Sequence, residues 1–337
     1  MPEPSTPNVL ITGATGALGP CVVEAFHREG FNIRTFSLDA PQEGDLPDGV
    51  DVRLGDVTDR QAVATAVRDV DIVVHLAALL HILDPSPELR ERYQRVNVQG
   101  SMNVVDGAVQ AGVERVVLFS TIAVYGGAER GQVLDESTSP QPETMYARSK
   151  LEAERIILAA KRADGKPLGV VLRMAAVYGS RVKGNYHRLV QSLARGRFIP
   201  VGDGRNQRTL IYDRDAAQAA ILAARHPDVG GRIFNVTDGG YHSLREIIEA
   251  ISAALGRNPP RGSLPVGLAR MAAGILERAA GLVGFRSPIT RATVDKYTEH
   301  IVVDSRKIQS ELGFCPQYGL ADGWSQAVEE MRLRGEI

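Results

Sequence analysis

Short apolar, β-branched runs alternate with helical stretches through the first half of the chain. NVLIT (8–12), NIRTFSL (32–38), VDVRLGD (50–56), DIVVHLAA (71–78), RVVLFST (115–121) and LGVVLRM (168–174) read as strands. They show little polar–apolar alternation, which marks strands buried on both faces, as in a parallel sheet covered by helices. Residues 20–29, 59–69, a long run over 91–112 and the stretch opening YARSK (146–150) read as helices. The repeated strand-then-helix order predicts an α/β fold with a doubly wound parallel sheet, its connections long enough for right-handed crossovers.

Beyond about residue 175 the pattern loosens. Helical segments over 186–196, 215–225 and 243–255 alternate with loops rich in Gly and Pro, and RIFNV (232–236) reads as a late strand of the same sheet. Asp215 is placed to cap the helix AAQAAILAA. The division expected is a sheet domain over 1–174, with 209–236 returning to it, and a smaller discontinuous lobe from 175–208 and 237–337. Within that lobe, 264–285 is apolar but interrupted by Arg270, Glu277 and Arg278. It reads as an amphipathic helix or helix pair, with a membrane-surface role as the alternative.

Composition narrows the class. With 337 residues, 44% hydrophobic and 23% charged, the chain is an ordinary globular sequence. A formal net charge of −1 supplies no global field for nucleic acid, and no basic patch with interleaved aromatics supports nucleic-acid binding. Two cysteines, Cys21 and Cys315, make no disulfide scaffold, so a reducing, cytoplasmic setting is expected. No signal peptide or spanning run is read, and the seven histidines show no ligand spacing, so no metal is expected.

Chemistry enters at TGATGALG (12–19), which follows the first strand and opens the first helix. Gly13, Gly16 and Gly19 allow positive φ and close backbone approach, and the helix N-terminus offers free N–H groups to an anion. A dinucleotide pyrophosphate is the natural occupant, contacted by Gly13, Thr15, Gly16, Ala17, Leu18 and Gly19. At the end of the second strand, where an acid favours NAD and an arginine NADP, stand Ser37 and then Asp39, with Arg34 mid-strand. The signal is mixed: NAD is the reading and NADP the alternative. Asp56, followed by Val57, is placed either to reach the adenine ring or to cap the next helix.

Tyr146 and Lys150 stand at i and i+4 on one helix. By itself such a pair usually only packs. The wider set of motifs changes its meaning. TGATGALG, GDVTD, HLAA (75–78), VNVQGSMNVV (96–105), FSTIAVYG (119–126), YARSK, LRMAAVYG (172–179) and GDGRNQRTLIYDRDAAQAA (202–220) together resemble the extended short-chain dehydrogenase/reductase family, in its nucleotide-sugar epimerase/dehydratase branch. The resemblance covers nearly the whole chain.

It implies that Thr121, Tyr146 and Lys150 are catalytic, and that Leu76, Ala77, Ala78 and Asn97 lie beside the cofactor. It implies that Asn185 and Arg208 grip a nucleotide diphosphate. Arg181 and Lys183 read either as further charges there or as solvated surface cations, and His81 either as facing the sugar or as a loop bystander. A free phenol has a pKa of about 10, too high for a base at neutral pH, and a nearby ammonium is expected to lower it. The activity implied is NAD-dependent epimerisation of a nucleotide sugar, a UDP-hexose at C4. The alternatives are a reductase or dehydrogenase of a 4-keto sugar nucleotide or a sterol-like alcohol, and a cofactor-sensing binding protein. SPITRATVDKYTEHIVVDSRKIQSELGF (287–314) resembles the segment of relatives acting on hydrophobic alcohols. A homodimer through 91–111 and 146–162 is the family expectation.

Overall fold

The structure, a computed structural model, describes residues 6–80, 87–129, 131–282 and 290–337. The first half runs β1 (Asn8–Thr12), α1 (Gly19–Arg28), β2 (Asn32–Ser37), β3 (Asp51–Leu54), α2 (Arg60–Ala66), β4 (Ile72–His75), α3 (Pro87–Tyr93), α4 (Gly100–Ala111), β5 (Arg115–Thr121), α5 (Met145–Ala159) and β6 (Gly169–Met174). The second half runs β7 (Ala176–Tyr178), α6 (Asn185–Ala194), β8 (Gln207–Arg208), β9 (Leu210–Tyr212), α7 (Asp213–Arg225), β10 (Ile233–Val236), β11 (His242–Ser243), α8 (Leu244–Ala254), α9 (Val266–Leu282), α10 (Arg291–Thr298), α11 (Arg306–Leu312) and α12 (Leu320–Leu333).

Seven strands form one parallel sheet in the order β10-β6-β5-β4-β1-β2-β3. This is the doubly wound Rossmann arrangement the strand–helix alternation predicts. Period-two alternation sends Val9, Ile11, Val74 and Val117 to one face, with residues of α1 and α7. Leu10, Val73, Val116 and Leu118 go to the other, with residues of α2, α4 and α5. Direction reverses between β1 and β4, and crevices for ligands open beyond the strand C-termini at such a switch point. A further apolar cluster joins α6, α8 and α12 around Tyr178 stacked on Trp324, ring centroids 4.3 Å apart.

Two expectations change. The run over 91–112 is not one helix: a π-helical turn, Gln94–Gln99, separates α3 from α4. Asn97 within it turns its amide inward and bonds to Leu79 and Ser149, contacts that hold the widened turn. Asp215 does not cap α7, which starts two residues earlier; its carboxylate accepts the Gln317 and Tyr318 N–H groups at 2.9 and 3.1 Å and pins the chain before α12.

Candidate active site

A cavity of about 570 Å³ lies beyond the C-terminal ends of β1, β4, β5 and β6. Its floor at one end is the loop Gly13–Gly19. Gly13 holds φ +71° and donates its N–H to Phe36 O at 2.8 Å. A Cβ there would sit 2.7 Å from Ala77 N, and one at Gly19 would sit 2.0 Å from Ala14 O. Glycine is what lets this loop close against the end of β4. No side chain caps α1, its first turn carries no acid, and Thr15 to Gly19 all line the cavity. The first-turn N–H groups are therefore without a side-chain acceptor, and the cradle suits a pyrophosphate.

At the end of β2, Ser37 lines the cavity and its Oγ accepts the Thr15 N–H at 3.3 Å. Asp39 is exposed and does not reach the wall. Asp56 and Val57 do line it; Asp56 Oδ1 accepts the Thr58 N–H at 2.8 Å. The cap of α2 is instead Asp59, which accepts from Gln61 and Ala62. Arg34 is committed elsewhere: it pairs with Asp51 at 2.8 Å and donates to the carbonyls of Ala66 and Arg68. That guanidinium is held away from the position where a 2′-phosphate would need it.

Thr121, Tyr146 and Lys150 reach the same cavity, beside Leu76, Ala77 and Ala78. Thr121 ends β5, and its Oγ1 accepts the Ala123 N–H at 3.1 Å. That bond fixes the hydroxyl and leaves its hydrogen to donate. Thr144 caps α5 by accepting the Ala147 N–H, so the helix starts just before Tyr146. The four-residue spacing then stacks Lys150 one turn on. Asn97 lies behind the wall: Oδ1 accepts Leu79 N–H at 2.7 Å, and Nδ2 donates to Leu79 O and Ser149 Oγ. Ser149 in turn donates to Tyr146 O at 2.8 Å. One amide thus ties the loop after β4 to the first turn of α5.

The electrostatics depart from expectation. In the protein alone the Tyr146 phenol is raised above its ordinary pKa, first by burial and then by Tyr93, whose ring lies 6.1 Å away. Lys150 is pushed down to about 8 by burial, against the opposing pull of Glu154 one turn further on. Desolvation, not the neighbouring ammonium, is the dominant influence on the phenol. Behind Lys150, Glu154 meets Arg173 at 2.7 Å, both nearly fully buried, and accepts the Ser120 hydroxyl. Arg173 also stacks on Tyr125, 4.8 Å from the ring centroid. His75 is buried between Thr12 Oγ1 (2.7 Å) and Ser101 Oγ (3.0 Å), and burial followed by Lys150 pushes its pKa down to about 3.

The remaining candidates are scattered. Asn185 is exposed at the start of α6 and does not line the cavity. Arg208 does not line it either; its Nη2 donates to the carbonyls of Lys296 and Tyr297 in α10. Arg181 pairs with Asp45 at 2.7 Å, linking the loop after β2 to the loop before α6. His81 lies outside the described residues. Arg92, which the sequence reading passed over, lines the cavity from α3.

Residues 9–237 match the NAD dependent epimerase/dehydratase family. The chain belongs to that family. It is an NAD-dependent enzyme of the extended short-chain dehydrogenase/reductase type. It is 28% identical over 323 residues to N-acetyl-alpha-D-glucosaminyl-diphospho-ditrans,octacis-undecaprenol 4-epimerase of Escherichia coli O157:H7, covering 96% of this chain and 94% of that one. It is 27% identical over 326 residues to 3 beta-hydroxysteroid dehydrogenase/Delta 5-->4-isomerase of Mycobacterium tuberculosis, covering 92% and 86%. Among solved structures, MoeE5 in complex with UDP-glucose and NAD superposes with a TM-score of 0.76 at 29% identity, covering 97% of this chain and 99% of that one.

Proposed function

We infer that this enzyme interconverts the C4 epimers of a nucleotide sugar, a UDP-hexose, using NAD held in the cavity between the glycine loop and α5. The observation that carries this reading is convergence: Thr121, Tyr146 and Lys150 open into the cavity whose other end is the Gly13–Gly19 cradle. The relatives named as 4-epimerases, in Escherichia coli O157:H7 and Vibrio cholerae, align over 96% of the chain and add support.

NAD, when bound, supplies reversible hydride acceptance at the sugar carbon. The chain's own groups handle protons and position. Tyr146 exchanges the proton of the C4 hydroxyl through its phenol oxygen. Lys150, one helical turn on, brings positive charge to the same cavity, which favours the ionised form once NAD and substrate are bound. Thr121 donates its fixed hydroxyl to the same substrate oxygen. Arg92 is placed to meet the anionic diphosphate, a contact the guanidinium geometry suits.

The test is turnover of a panel of UDP-hexoses with NAD, read by proton NMR at C4 and by nicotinamide absorbance. C4 inversion without net absorbance change is expected, and Tyr146→Phe abolishes it while NAD binding persists. Stoichiometric reduction of NAD by a sugar or by a hydroxysteroid would instead establish a dehydrogenase. That second reading draws its support from the hydroxysteroid relative.

A further inference from the structure

Helix α9 is inverted. The side chains it buries are small: Ala269 and Ala273 are 6% and 1% exposed and pack with Val294, in a cluster apart from the main cores. Its large residues face outward: Leu268, Met271, Ile275 and Leu276 are 49, 58, 60 and 49% exposed. Their spacing of three, four and one places them on one side of the helix, a continuous apolar stripe. A helix serving only the protein's own core buries its large side chains and exposes its small ones. No helix among the described residues is long and apolar enough to cross a membrane, and α9, 17 residues or about 25 Å long, is cut by Arg270, Glu277 and Arg278.

Basic residues predominate on the approach to the stripe. Residues 250–276 contain Arg257, Arg261 and Arg270 and no acid, in a chain whose net charge is −1. Arg257 and Arg261, which precede the helix, and Arg278 are exposed, and Arg278 lies on the same side of the helix as Met271, one turn beyond Ile275. Two nearby acids are already engaged at the surface: Asp295 pairs with Arg270 at 3.0 Å, and Glu277 accepts the Arg291 N–H. An apolar face with a basic border fits an anionic lipid surface, where the side chains enter the acyl boundary and the guanidinium groups meet phosphates.

We propose that the outer face of α9 docks this enzyme reversibly on anionic phospholipid bilayers. The proposal does not depend on which substrate the cavity takes. The full-length protein is sedimented with vesicles of phosphatidylcholine alone or with roughly 30% phosphatidylglycerol, at low and high salt. Cosedimentation with the anionic vesicles is expected, weakened by salt and at least about tenfold stronger than on neutral vesicles. Leu268→Ser/Met271→Ser/Ile275→Ser is expected to lose at least about tenfold in binding, with NAD affinity and circular dichroism unchanged. Arg261→Gln/Arg278→Gln is expected to remove the anionic preference while leaving the stripe intact. Failure of the wild-type protein to sediment with anionic vesicles overturns the proposal, as does undiminished binding by the serine variant. Loss of self-association in the serine variant, without any vesicle binding by the parent, overturns it in favour of a second copy as the occupant.

Discussion

Replacing Lys150 with Met should stabilise the protein while destroying its activity. Lys150 is 3% exposed, and burial moves its pKa from 10.5 to about 8. At about 1.4 kcal/mol per pH unit, the folded state bears roughly 3 kcal/mol for keeping that ammonium charged. The unfolded chain loses its proton near 10.5 and the folded chain near 8. Below pH about 8 both are charged and the cost is complete. Between about 8 and 10.5 the unfolded state binds more protons, so stability rises with pH; above that both are neutral and the cost is gone. Methionine fills similar space without charge, at a packing cost below roughly 1.5 kcal/mol. The expected gain is therefore about 2 kcal/mol near neutrality, shrinking towards nothing or a slight loss by pH about 10.5. Urea denaturation of both proteins without dinucleotide, at about pH 7, 9 and 10.5, measures it. Loss of stability at neutral pH, or an equal gain at every pH, refutes the reasoning.

His75 predicts acid sensitivity by the same linkage with the other end of the scale. It titrates near 6.5 unfolded and about 3 folded, so the unfolded state gains a proton first as pH falls. Stability should drop by about 2 kcal/mol between pH 6.5 and 5, and His75→Gln should flatten that slope whatever its effect at pH 7. Gly13→Ala should weaken NAD binding at least about tenfold in calorimetry, because its Cβ meets Ala77 N and its φ is +71°. Gly30→Ala is the control: φ is +80° but nothing lies within 4 Å, so only a loss of roughly 1 kcal/mol in stability is expected, with NAD affinity unchanged.

What the sequence makes legible is what local chemistry decides. The glycine loop is readable because close backbone approach leaves no other residue type possible at Gly13 and Gly19. The Tyr146–Lys150 pair is readable because helix periodicity alone puts both groups on one face. Arg208 shows the limit. Its place in a diphosphate-like segment suggested a ligand, yet the folded chain gives its guanidinium to carbonyls of α10, 88 and 89 residues away. Nothing local marks Glu154, and only the pairing of β6 beside β5 brings Arg173 and Ser120 to it. The same holds for Asn97, whose partners Leu79 and Ser149 lie 18 and 52 residues off. Long-range polar pairing carries no local signature, so it stays invisible until the topology is fixed.

The pKa directions also say how the site avoids idle chemistry. Burial favours the neutral form of both Tyr146 and Lys150, yet at neutral pH Lys150, near 8, remains mostly an ammonium. The phenol therefore stays protonated in the protein alone, and a substrate hydroxyl placed beside it finds no base. A further positive charge entering the cavity lowers both values, and an anionic group raises both. Only an arrangement that sets positive charge near Tyr146 while keeping phosphates at the glycine loop moves the phenol towards ionisation. The cavity has that polarity built in. The helix terminus suited to an anion is at one end, and the desolvated ammonium, backed by Glu154, lines the same cavity as the phenol at the other. On the proposed chemistry, proton transfer at Tyr146 is coupled to the orientation of what is bound, and a ligand reversed in the cavity would leave the tyrosine inert.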